Sequence, residues 1–107
     1  MGHDRTLSWA ERTREESRLR ILRRLREQAD YSAPAAILQE DLERQGLTLS
    51  MAAVRTAVAW LNEQGLVIAQ TVGDSGIVIA TATEAGIDVA SGRSLVPGVA
   101  RIRPGEI

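Results

Sequence analysis

Val54-Arg55-Thr56-Ala57-Val58-Ala59-Trp60-Leu61-Asn62-Glu63-Gln64-Gly65-Leu66-Val67 is the stretch on which the fold turns. Up to Gln64 its apolar residues recur at helical spacing. Val54, Ala57, Val58 and Leu61 share one face, while Arg55, Thr56, Ala59 and Glu63 point away from it. Gly65 is a natural C-terminal stop for such a helix. Beyond it the period changes, and residues 66–72 (Leu-Val-Ile-Ala-Gln-Thr-Val) read as a strand. Gly73-Asp74-Ser75-Gly76 then supplies the unusual backbone angles of a hairpin turn, and residues 77–82 form the returning strand. A helix is thus expected to hand over to a two-stranded flap at a single residue.

The remaining elements follow outward from this junction. Ser50 caps the helix over 51–64, with Ala52 on its outer face. Upstream, Pro34 suits the first turn of a helix over 34–45 that turns Leu38 and Leu42 inward and stops at Gly46. The first helix opens with Ser8-Trp9-Ala10-Glu11, which has the form of a capping box, and runs to about Gln28. Leu19, Ile21, Leu22 and Leu25 form its apolar face, with Arg12, Arg20, Arg23 and Arg24 on the other side. Arg14 and Arg18 continue the apolar face backwards, so the N-terminal half of this helix is expected to project beyond the core. Downstream, Thr83 caps a last helix over 84–90 that ends at Gly92. The expected fold is mainly α with a small β-hairpin, an α+β domain of order α-α-α-β-β-α. It spans residues 8–92, between a flexible N-terminus (1–7) and an irregular tail (93–107).

Composition narrows the function. The 107 residues suffice for one domain. Hydrophobic residues make up 44%, and the only aromatics are Trp9, Tyr31 and Trp60, so the core must be aliphatic. With no cysteine there is no disulfide, thiolate metal site or cysteine nucleophile, and a single His gives no metal cluster. No membrane-length apolar run or signal-peptide core is present, which points to a soluble, intracellular chain. Nothing assembles into a nucleophile–base pair or a phosphate loop, so neither an enzyme nor a cofactor is expected. Every basic residue is Arg, yet the net charge is −1, less basic than a bare DNA-binding domain usually is.

Two helices joined by a short turn and followed by a strand pair form a helix-turn-helix with a wing. The segment 54–67 resembles the junction between recognition helix and wing in winged-helix regulators. Ala82-Thr83-Glu84-Ala85-Gly86-Ile87-Asp88-Val89-Ala90 resembles the helix that follows the wing in the same families. Over residues 7–104 the chain also resembles an ArsR-like small protein family of Mu-like bacteriophages and prophages, on Leu7-Ser8-Trp9-Ala10-Glu11-Arg12 and Val96-Pro97-Gly98-Val99. The resemblance implies a protein of the bacterial cytoplasm that dimerises through its first and last helices. Here those would offer Trp9, Leu19, Leu22 and Ile87. ArsR sensors hold metal through cysteines that this chain lacks, so metal sensing is dropped.

If such a domain binds double-stranded DNA, the third helix enters the major groove. Ser50, Ala52, Arg55, Thr56 and Ala59 are then the candidate contacts, with Arg55 the one able to reach guanine bidentately. Arg12, Arg14 and Arg18 are candidates for phosphate or partner contact. The rival account of the arginine-rich first helix is self-neutralisation through pairs such as Glu16 with Arg20. The acidic turn at Asp74 makes a poor minor-groove reader. Two functions follow: a homodimeric transcriptional regulator, or a protein-binding module in a phage replication, packaging or host-takeover complex, whose partner is a phage or host protein.

Overall fold

The computed structural model describes residues 8–103 and 105. The expected flexible segment 1–7 lies outside them. The chain runs α1 (Trp9–Glu27), β1 (Ser32–Pro34), α2 (Ala35–Arg44), α3 (Met51–Glu63), β2 (Val67–Val72), β3 (Ile77–Ala82) and α4 (Glu84–Ala90). This is an α+β fold with four helices and a three-stranded antiparallel sheet of order β1-β3-β2.

Helix boundaries follow local chemistry. Ser8 and Glu11 form a reciprocal capping box, with bonds of 2.9 and 3.1 Å. Ser50 and Thr83 cap α3 and α4 by accepting the N–H groups of Ala53 and Gly86. The end of α3 is a Schellman motif. The Leu66 N–H donates to the Leu61 carbonyl at 2.9 Å and the Gly65 N–H to Asn62 at 3.1 Å, with Gly65 at φ +76°. That left-handed residue reverses the chain, and Leu66 and Val67 enter the core directly behind it.

The strand before α2 was not expected from sequence. Tyr31, at φ +57°, turns the chain out of α1, and its carbonyl accepts the Ala82 N–H at 2.8 Å. Ala33, preceding a proline, is biased to extended geometry. Pro34 lacks an N–H, which an edge strand tolerates. Ser32, Ala33 and Pro34 therefore pair with Thr81, Ala80 and Ile79. Pro34 is the N-cap of α2 and not its first turn.

The core lies where α1, α2, α3 and the inner sheet face meet. Leu22, Leu25, Val54 and Leu61 have no exposed surface, and Leu19, Leu38, Leu42, Val58, Val67 and Ala80 are nearly as buried. Truncating any one of the leucines to Ala is expected to cost about 2–5 kcal/mol.

Candidate nucleic-acid interface

The solvent face of α3 carries Ala52, Ala53, Arg55, Thr56 and Ala59, all exposed, with exposed Ser50 at its start. Its opposite face, Val54, Ala57, Val58 and Leu61, anchors it in the core. The helix is therefore a rigid support for a surface of small side chains. The two hydroxyls are partly committed. Ser50 accepts from the Ala53 N–H at 3.0 Å, and Thr56 donates to the Ala52 carbonyl at 2.9 Å.

Arg55 is placed by the hairpin. One terminal nitrogen of its guanidinium donates to the Gly76 carbonyl at 3.0 Å. This bond ties the middle of α3 to the β2–β3 turn, so the helix face and the hairpin form one contoured surface. A single bond of this kind leaves the other guanidinium N–H groups available for an acceptor. Asp74, in the same turn, is exposed and carries the opposite charge.

The arginines of α1 divide into two groups. Arg12 and Arg14 are exposed, and their side chains make no hydrogen bond or ion pair within the described residues. Arg14 and Thr56 line the same hollow, so α1 extends the α3 face on that side. The others are occupied. Arg20 bonds Glu16 at 3.2 Å and Gln45 at 2.8 Å. Arg24 faces Asp41 at 3.6 Å, and Arg26 donates to the Ala90 carbonyl at 2.8 Å.

Arg18 is part of the protein's own packing. Its guanidinium carbon stands 3.9 Å from the centroid of the Trp60 ring, and a terminal nitrogen donates to the Gly98 carbonyl at 2.9 Å. Burial pulls its pKa below the ordinary guanidinium value, and repulsion from Arg14 adds to this while Glu15 opposes it. The expectation of a direct phosphate or partner contact at the surface is corrected for this residue, because an aromatic face and a carbonyl already hold its guanidinium. The same packing corrects the expected projection of α1. Residues 93–103 take no helix or strand, yet Val99 is buried and the Ala100 N–H donates to Glu15 at 3.1 Å. Glu16 also faces Arg103 at 3.6 Å. Only the first turns of α1 stand clear of this strap.

Two dimer-contact residues are also corrected. Leu19 and Leu22 are 1% and 0% exposed, filling the chain's own core and leaving a second copy nothing to touch. Ile87 is half-buried against that core, and Trp9 is 81% exposed. Sequence reasoning missed the contribution of Gly98. The one available signal was Arg18 itself, a charge at a position where the helical period asks for Leu. Among the described residues no group of His, Asp or Glu could hold a metal, and no helix is long and apolar enough to cross a membrane.

No family model matches the chain. It is similar to the uncharacterized protein gp26 of Escherichia phage Mu, at 41% identity over 90 residues, covering 84% of this chain and 91% of that protein. It is also similar to an uncharacterized protein of Haemophilus influenzae, at 36% identity over 78 residues, covering 73% of this chain and 74% of the relative.

Proposed function

The chain belongs to the family of gp26 of Escherichia phage Mu, and we propose that within it this protein is a winged-helix DNA-binding regulator that acts as a homodimer. The α2–α3 pair is the helix-turn-helix, α3 the recognition helix and the β2–β3 hairpin the wing. The observation that carries this reading is the bond from Arg55 to Gly76. It sets a helix face of small residues and a hairpin side by side, with free N–H groups of Arg55 between them. Alanines at 52, 53 and 59 let the helix lie deep in a major groove, where their methyl groups suit thymine methyls. Arg12 and Arg14, whose side chains have no hydrogen-bond or ion-pair partner among the described residues, are the phosphate contacts. A dimer that spans two half-sites would use Trp9, the predicted contact residue with most of its surface still open.

A mobility-shift scan of phage DNA fragments at low salt tests the reading. The expected outcome is a defined shifted fragment, bound by two chains, whose affinity falls by about 1–3 kcal/mol in Arg55→Ala. A scan with no shift, or a shift indifferent to that substitution, overturns it.

One observation favours a second reading, a protein-docking module. In the β2–β3 register Ile68, Gln70 and Val72 stand opposite Thr81, Ile79 and Ile77, so these six share the outer sheet face. None is charged, and Ile68, Val72 and Ile77 are 54%, 46% and 49% exposed. On that reading Ile68→Asp abolishes partner binding while the chain shifts no DNA.

A further inference from the structure

Between α1 and α3 lies a hollow of about 250 Å3, lined by Thr13, Arg14, Ser17, Arg18, Leu49, Ala53, Thr56 and Ala57. We propose that it is a binding site for a small carboxylic acid with a compact apolar body. The inference does not depend on whether the protein binds DNA.

The lining fixes the sign of the ligand's charge. Its two ionisable residues are both arginines, and the carboxylates that act on them, Glu11 on Arg14 and Glu15 on Arg18, lie on α1 outside the lining. Arg14 is exposed and has no hydrogen-bond or ion-pair partner among the described residues. Arg18 bonds a neutral carbonyl, and its Nε is buried with no acceptor. The two guanidinium groups are close enough to repel each other. A guanidinium without an ion-pair partner, beside a second positive charge, is the setting in which an anion gains most. The hydroxyls do not compete as donors: Thr13 donates to Trp9, Ser17 to Thr13 and Thr56 to Ala52 within their own helices. An incoming group thus meets N–H donors from arginine alone, and a cation meets two positive charges.

The floor fixes the rest of the ligand. Leu49, Ala53 and Ala57 offer methyl and methylene groups that a bare inorganic ion would leave uncovered. A volume near 250 Å3 equals that of about eight water molecules, at roughly 30 Å3 each. That admits a single ring or a short branched chain bearing one carboxylate. Arg14 would take the carboxylate at the mouth, with Arg18 supplying a second positive charge behind it.

Benzoate is the probe, followed by backbone-amide NMR on the full chain. Benzamide serves as its neutral isostere and inorganic phosphate as an anion without an apolar body. Benzoate is expected to move the amides of residues 13–18 and 53–57 saturably, and neither control should do so. Arg14→Gln, at an exposed position whose side chain makes no hydrogen bond or ion pair among the described residues, should weaken benzoate roughly tenfold. Ala53→Leu, also exposed, fills the hollow and should block binding with the fold intact. Equal responses to benzoate and benzamide would overturn the proposal, as would a phosphate response equal to that of benzoate, or an Arg14→Gln variant that binds as the parent does.

Discussion

At the scale of the residue, Gly98 shows how much one position can carry. Its φ is +98°, a region that L side chains rarely adopt, and an added Cβ would fall 2.6 and 2.8 Å from two Trp60 ring atoms. Gly98→Ala must therefore strain the backbone and push the strap off the tryptophan, releasing Arg18 from its carbonyl. We expect a loss of about 2 kcal/mol by chemical denaturation, with a change in Trp60 emission. A loss under about 0.5 kcal/mol, the range of ordinary surface substitutions, would show that the strap is not coupled to the core. Arg55 teaches a different lesson. Sequence marked it as an exposed helix residue, and it is exposed. Its bond to Gly76 was not legible, because nothing in local spacing says how a hairpin will lean on a helix.

At the scale of the element, periodicity and capping chemistry located all four helices and both long strands. Their residues interact mainly with neighbours a few positions away. The three-residue β1 was not legible for the converse reason. It is too short to show alternation, and its proline reads as a helix start. Only pairing with β3, 47 or so residues later, makes it a strand. The N-terminus of α1 gives a prediction at this scale. The Glu11 carboxylate accepts from the Ser8 backbone N–H and then from the Ser8 side chain, which holds its pKa below the usual carboxylate value. A group so depressed contributes stability above its ordinary pKa and loses it as pH falls through the folded value. Carbon chemical shifts of residues 8–12 should stay helical from neutrality to about pH 5 and drift toward coil below about pH 4. In Glu11→Gln that drift should vanish, since an amide can still accept in a capping box. A drift that persists unchanged would assign the effect to another carboxylate.

At the scale of the whole molecule, the charge budget limits what DNA binding can look like. The net charge is −1, and most α1 arginines are consumed by Glu16, Asp41 or backbone carbonyls. On α1 and α3, Arg12, Arg14 and Arg55 are left, among the described residues, to face phosphates or bases. For about three neutralised phosphates the logarithm of the affinity should fall with the logarithm of salt at a slope near −3 per chain. Fluorescence anisotropy over a salt series measures this. A slope several times steeper would mean that the pairs along α1 open on binding. The core of this architecture was legible because its apolar stripes are periodic. The candidate surface was legible only as a set of exposed residues. Which arginines remain available was decided by contacts between distant parts of the chain: Arg18 with Gly98, Arg20 with Gln45, Arg24 with Asp41 and Arg26 with Ala90.

The return of residues 96–103 across α1 has a consequence for how the protein is made. Arg18 leaves the ribosome 80 residues ahead of the carbonyl that receives it. Trp60 likewise waits for its cover, so a nascent chain can have every helix formed and still leave that indole bare. The covering of Trp60 therefore comes late, after the four helices described above have all emerged.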